Sequence, residues 1–244
     1  MALPYDKIYL LEALQAGTID LQGQFLNSSN YTFLAQLDFE GQRLPVVYKP
    51  VRGERPLWDF PANTLSKRET AAFSLSELLG WNLVPPTIFR RKGPLGRGSL
   101  QYYLEHDPQQ HYFTFSEAER QRLRPFAVFD LLVNNADRKG GHILLDADGD
   151  LWGSDHGVCF HVEDKLRTVI WDFAGQALPE ELMADVERVA AELSQPDSAG
   201  RTALLGLLRP SEVKAVARRA RRLLEAGTFP LPGKDRRAFP WPPV

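Results

Sequence analysis

Along the first hundred residues the apolar positions recur mostly with the period of strands. Residues 18–26 and 31–39 are short apolar runs. In the second, Tyr31, Phe33, Ala35, Leu37 and Phe39 alternate with polar partners before Glu40-Gly41 turns the chain into a third run over 44–49. This spacing predicts a three-stranded meander. Ser66 followed by Glu69 is the pattern of a capping box, and Ala72, Phe73, Leu78 and Leu79 recur at helical spacing up to Gly80, predicting the one helix of this half. Pro85-Pro86 then opens an extended stretch over 87–90, joined through the glycine-rich turn 93–98 to a strand over 100–105.

From Ser116 onward helical periodicity takes over. Ser116 and Glu119 form a second capping-box pattern, and the helix through Phe126, Phe129, Leu132 and Val133 must start or kink at Pro125, since proline lacks the amide a helix interior uses. Residues 143–145 and 151–153 flank Asp146-Ala147-Asp148-Gly149, a hairpin signal. Further helices are predicted over 179–193 and 210–226, the latter ended by Gly227. Residues 229–244 hold five prolines and are expected to be extended or partly disordered. The pattern as a whole predicts a two-lobed α+β protein: a β-rich lobe with one helix (1–105), a mainly helical lobe (106–228), a connection near 103–107 and a proline-rich tail (229–244). Small ligands tend to bind in a cleft between lobes.

Composition narrows the function classes. A single cysteine, Cys159, excludes an internal disulfide framework and a cysteine-based zinc site, as expected in a reducing cytoplasm. The first residues carry no apolar leader, and the longest apolar run, 126–133, is interrupted by Asp130 and falls far short of the roughly 20 residues that span a bilayer. Net charge is only −2, yet residues 201–244 hold 10 basic side chains against 3 acidic ones. Arg218, Arg219, Arg221 and Arg222 lie on a helix whose other face is apolar, so a solvated basic face is the default reading and peripheral contact with an anionic membrane the second. No aromatic-basic groove pattern supports a nucleic-acid partner.

The chemistry concentrates in 135–157. Asp137 follows an apolar helix and precedes Gly140-Gly141, and Asp155 stands 18 residues later, beyond the hairpin. Two carboxylates on loops either side of a tight turn are what phosphoryl transfer uses to orient a hydroxyl and to hold a metal-bound phosphate chain. Asp155 is the candidate ligand for a hard divalent cation, with Gly157 expected to permit an unusual backbone turn. His142 either shares that metal or does not touch it. Lys49 ends an apolar strand as a candidate phosphate-binding lysine. Glu69 is either its carboxylate partner or merely part of a capping box, with Glu77 as the substitute. The polar loop Asn27-Ser28-Ser29-Asn30 is placed to cover phosphates or is a plain turn. Neither dinucleotide-fold nor P-loop glycine motifs occur, and the acidic turn 146–150 lacks the spacing of a calcium loop.

These residues also carry a resemblance. Tyr48-Lys49-Pro50 with Gly53-Glu54-Arg55-Pro56, then Asp137-Arg138, then Asp155-His156-Gly157-Val158-Cys159-Phe160 resemble, in order, the lysine strand, the catalytic D-R pair and the D-N-G-x-x-F metal segment of the phosphatidylinositol 3-/4-kinase-like proteins. The type II phosphatidylinositol 4-kinases and their small bacterial relatives are nearest in these motifs, and HipA-type protein kinases are more distant. The resemblance spans residues 18–175 and implies a protein-kinase-like fold using ATP with Mg²⁺ or Mn²⁺. It implies Lys49 on the phosphates, adenine against Tyr103, Leu104 and Glu105, Asp137 with Arg138 as the catalytic D-R pair, and metal on Asp155; Glu69, Ser28, Ser29 and Asn30 remain candidates for the phosphate side, and His142 for the metal, from the residue pattern alone. His142 stands where that family commonly has Asn or Asp. The expected activity is transfer of a γ-phosphate to a hydroxyl of a phosphatidylinositol-like lipid or of protein Ser/Thr. A nucleotide-binding pseudokinase or an AMP transferase is the alternative.

Overall fold

A computed structural model describes residues 3–25, 30–233 and 237–244. Helix α1 (Lys7–Ala16) begins at Asp6, whose carboxylate accepts the Ile8 and Tyr9 amides, and it buries Leu10, Ala13 and Leu14. The strands β1 (Thr18–Gln24), β2 (Phe33–Phe39) and β3 (Gln42–Pro50) form the expected antiparallel meander. Glu40 and Gly41 connect β2 to β3 as a two-residue loop with φ of 48° and 78°, the left-handed pair that matches the right-handed twist of the flanking strands. After helix α2 (Leu65–Leu79) come β4 (Thr87–Arg90) and β5 (Gly98–Tyr102), and the completed sheet runs β1-β2-β3-β5-β4.

The second half contains α3 (Glu117–Gln121), α4 (Arg124–Val133), a hairpin of β6 (Ile143–Leu145) and β7 (Leu151–Gly153), then α5 (Glu180–Ser194), α6 (Ala199–Leu205) and α7 (Pro210–Ala226). Ser116 and Glu119 cap α3 reciprocally as expected, and Pro125 sits in the first turn of α4, where its missing amide costs nothing. Asp146 organises the hairpin turn, accepting the amides of Asp148 and Asp150 and the indole N–H of Trp152. The acidic run is thereby explained as turn chemistry.

Two large apolar cores result among the described residues, beside one small cluster of Phe60, Leu65 and Ala136. One lies against the sheet and includes Leu14, Leu37, Val46, Tyr48 and Leu100. The other joins the helices through Phe126, Phe129, Leu132, Val189 and Val216. Trp152 leaves its hairpin to pack into the sheet core, and buried Arg68 of α2 reaches Glu212 of α7 at 2.5 Å, so both halves are pinned together.

Three expectations are corrected. The β-rich half has two helices rather than one: Asp6 caps a helix over residues 7–16, ahead of the first expected strand. The Ser66–Glu69 capping box does not form: α2 starts at Leu65, and the cap comes from Glu54, whose carboxylate accepts the Leu65 and Ser66 amides at 3.1 and 2.8 Å and the Ser66 hydroxyl at 2.7 Å. The chain end packs rather than hanging free, since Ala238 is buried and its carbonyl accepts the Thr168 amide. Replacing Glu54 with Ala should remove about 1–2 kcal/mol and lower Tm by about 3–6 °C. A melting curve identical to the parent would show that the α2 terminus draws nothing from Glu54.

Candidate active site

Lys49 projects from the end of β3. The Ser66 hydroxyl donates to the Lys49 carbonyl at 3.0 Å, which joins the strand end to the first turn of α2. One turn further along α2, Glu69 Oε1 lies 2.5 Å from Lys49 Nζ, and its other oxygen accepts the His156 amide at 2.9 Å. Asp155 Oδ1 lies 2.9 Å from the same ammonium. Lys49 therefore bridges an acidic side chain of the sheet-side helix and one of the loop after the hairpin, and Glu69 is its partner rather than Glu77, which pairs with Lys7.

Burial opposes the Lys49 charge, but the Asp155 and Glu69 carboxylates outweigh it and hold the ammonium above its ordinary pKa. Glu69 shifts upward because burial dominates over Lys49. Asp155, half open to solvent, is held well below the usual carboxylate range, first by Lys49 and against the effect of burial. Its backbone φ is 55°, a left-handed conformation that a non-glycine residue adopts at a cost of order 1–3 kcal/mol. The sequence assigned that turn to Gly157, but the strained residue is Asp155 itself. At Gly157 a Cβ would meet Glu69 Oε1 at 3.5 Å, an ordinary contact, so neither backbone nor space demands glycine there.

Asp137 opens into the same small cavity, of about 60 Å³, that Lys49, Glu69, Asp155 and Asn30 line. Burial raises its pKa to about 6, with Lys139 opposing and Asp155 adding to the rise. The Lys139 ammonium stands 3.7 Å away and Asn135 Oδ1 accepts the Asp137 amide. His142 Nε2 is 3.4 Å from Asp155 Oδ2, and burial pushes the imidazole down to about 4, so it is neutral near pH 7. The Lys139 amide donates to His142 Nδ1, which leaves the proton of the neutral ring on Nε2, facing Asp155.

Arg138 does not reach the cavity. Fully buried, it meets both oxygens of Asp130 at 3.1 Å and donates to the carbonyls of His142 and Ser154, with its remaining nitrogen 2.6 Å from His156 Nε2. It therefore lies beneath the site as a positioning residue. Tyr103, Leu104 and Glu105 do not line this cavity: the Tyr103 amide donates to Pro45 O, Leu104 packs in the sheet core and Glu105 is exposed. Ser28 and Ser29 lie outside the described residues. Asn30 is at the cavity wall, its side-chain oxygen accepting the Arg55 amide. Glu54 and Asp130 were not singled out as site residues, although a lone carboxylate inside the apolar run 126–133 signals a buried cationic partner.

Among the described residues no three His, Cys, Asp or Glu side chains form a ready-made metal cage. Magnesium commonly takes only one or two protein carboxylates, with phosphate oxygens and water completing its shell, and Asp155 suits that use. Among the described residues no helix is long and apolar enough to cross a membrane.

The Asp130–Arg138 pair is buried on all sides, so removing one partner strands the other. Asp130→Ala should cost about 3–5 kcal/mol, read as a lower urea midpoint at unchanged slope. Replacing both residues with apolar ones should cost less than either single change.

Comparison with known proteins agrees with this architecture. No family model matches the chain. The structure of hydra Fam20 with sugar superposes over 92% of this chain and 89% of its own at a TM-score of 0.60 and 16% identity. The Golgi casein kinase with Mn/ADP bound does so over 90% and 74% at a TM-score of 0.55 and 15% identity. The fold is accordingly a two-lobed protein-kinase-like one, as expected from the sequence. At 40% identity over 264 aligned positions, covering 94% of this chain and 93% of the relative, the protein belongs to the same family as Protein Rv2133c of Mycobacterium tuberculosis.

Proposed function

We propose that this protein is an ATP-dependent phosphotransferase that moves a terminal phosphoryl group to a hydroxyl acceptor. The observation that carries the reading is Lys49, held between Glu69 of α2 and Asp155 of the post-hairpin loop, with Asp137 lining the same cavity. A strand lysine paired to a helix glutamate, beside a metal-binding aspartate, is the arrangement protein kinases require before they act. A kinase-like relative in fold has been crystallised with Mn/ADP, which supports a nucleotide and a divalent cation as the ligands.

Each residue then has a separate task. Mg²⁺ or Mn²⁺, when bound with nucleotide, supplies neutralisation of the phosphate charge. Asp155 is positioned to hold that cation, and Lys49 to contact the phosphates as a point charge anchored by Glu69. Asp137 orients the acceptor hydroxyl and takes its proton, a task its raised pKa suits near neutral pH. His142 can serve as a metal ligand only as the other tautomer, with Nδ1 protonated; as placed, it donates toward Asp155 and fixes that carboxylate. The cavity of about 60 Å³ is far below the ~300–1,000 Å³ of small-molecule sites, a size that suits the phosphate and metal end of a nucleotide rather than the whole of it.

The acceptor is a phosphatidylinositol-like lipid or a protein Ser/Thr hydroxyl. Labelled ATP with Mn²⁺, offered with and without phosphatidylinositol vesicles, separates lipid product from protein phosphorylation. A nucleotide-binding protein without turnover is the second reading, favoured by the proton His142 presents to Asp155. Binding of ATP with no label transferred to lipid, protein or water would select it.

Asp137→Asn should lower turnover by about 10²–10⁴-fold while nucleotide-induced thermal stabilisation persists. Equal turnover in the variant would remove Asp137 from the chemistry. Because the carboxylate must be ionised to accept a proton, kcat/KM of the parent should fall as pH drops through about 6. A profile flat down to pH 5 would contradict that role.

A further inference from the structure

A larger cavity, of about 260 Å³, lies in the helical lobe away from Lys49. Its size approaches the lower end of small-molecule sites. One part of its wall is apolar, with Leu131, Leu166, Trp171, Leu223 and Leu231, and another carries Arg218, Arg219 and Arg222 of α7. Leu231 is 70% exposed at this wall, a large apolar side chain left in water.

The arginines are poorly compensated. Arg218 spends a nitrogen on Val162 O, and Arg219 donates to the carbonyls of Leu132 and His161, neutral groups that satisfy hydrogens without cancelling charge. Arg219 Nη2 is buried with no partner among the described residues, and its guanidinium is lowered to about 10, by burial first and then by Arg218. Arg222 makes no hydrogen bond or ion pair with the described residues. Against these three cations the wall contributes one carboxylate, Asp164. Three guanidiniums crowded beside apolar surface are stabilised by an anion, and a carboxylate or phosphate fits their forked donors. An apolar body on that anion would cover the remaining wall.

We infer that this cavity is a binding site for a single-chain amphiphile, its carboxylate or phosphate head on Arg218 and Arg222 and its acyl chain against Leu131, Leu166, Trp171 and Leu223. The basic stretch of α7 that the sequence offered to a membrane surface is thereby assigned to one bound molecule. Asn134, at the same wall, holds the 161–165 segment by donating to the His161 and Glu163 carbonyls and accepting the Lys165 amide, so the site lies directly behind the loop that bears Asp137. The inference does not depend on phosphoryl transfer.

The test is calorimetric titration of the whole protein with laurate, dodecyl phosphate, dodecanol and inorganic phosphate, each as monomer. Laurate and dodecyl phosphate should saturate one site, dodecanol should bind at least about tenfold more weakly and inorganic phosphate not measurably. Arg222→Ala should weaken both amphiphiles about tenfold, and Ala226→Trp, which fills the cavity edge, should abolish binding. Both positions are exposed, and an unchanged melting temperature without ligand checks that the variants fold. Absence of saturation by either amphiphile overturns the inference. So does equal affinity for dodecanol, binding that survives Ala226→Trp, or association confined to phosphatidylglycerol vesicles.

Discussion

The buried Asp130–Arg138 pair is the constraint on which the rest of the site depends. Two charges deep in an apolar helix layer are tolerable only when every donor and acceptor is matched. Asp130 accepts from Asn135, Arg138 and Thr168, and Arg138 spreads its donors over the carbonyls of His142 and Ser154 and the ring of His156. Apart from Thr168, those partners flank Asp137 and Asp155 in the chain. The turn carrying Asp137 and the loop carrying Asp155 are therefore fixed to one guanidinium, and their separation is set from below. Arg138 can thus matter to the site without lining the cavity that Asp137 opens into.

Above that layer the charges are deliberately unbalanced. Lys49 faces Glu69 and Asp155, and Asp137 adds a third carboxylate whose proton affinity is raised by burial and by Asp155. On the proposed reading, Asp155 would hold a cation that arrives with a phosphate chain, and the positive charge would relieve the repulsion between Asp137 and Asp155. The strained backbone of Asp155 belongs to the same logic: a left-handed aspartate persists because Glu69 holds the following amide of His156, while Lys49 and His142 occupy its two oxygens.

Much of this was legible in residue pattern. Alternation specified β2, the Glu40-Gly41 pair specified its turn, and Gly227 the end of α7, because each rests on local backbone chemistry. Lys49, Glu69, Asp137 and Asp155 could be picked out by type and spacing. What pattern could not supply were contacts between distant segments. Ser66 and Glu69 satisfy a local capping rule in the sequence, yet Glu54, 12 residues before Ser66, takes the cap and frees Glu69 for Lys49. Helix α1 was hidden for a different reason: Leu10, Ala13 and Leu14 have helical spacing, but Ile8, Tyr9 and Leu11 are apolar too and blur the pattern. Asp130 read as an interruption in a greasy helix, and its meaning appears only with Arg138 opposite.

The chain end shows the same dependence on remote contacts. The Gly140 amide, three residues after Asp137, donates to Pro243 O at 2.7 Å, and the Thr168 amide donates to Ala238 O at 3.1 Å. Gly140 also lies against Phe113, where a Cβ would stand 2.9 Å from the ring, so a larger residue would have to push that half-exposed ring aside. The proline-rich segment has few amides of its own to satisfy, which suits it to offering carbonyls to donors on another segment. Its composition, which by itself argues for an extended or partly disordered tail, is thus compatible with a strap whose carbonyls accept the Gly140 and Thr168 amides.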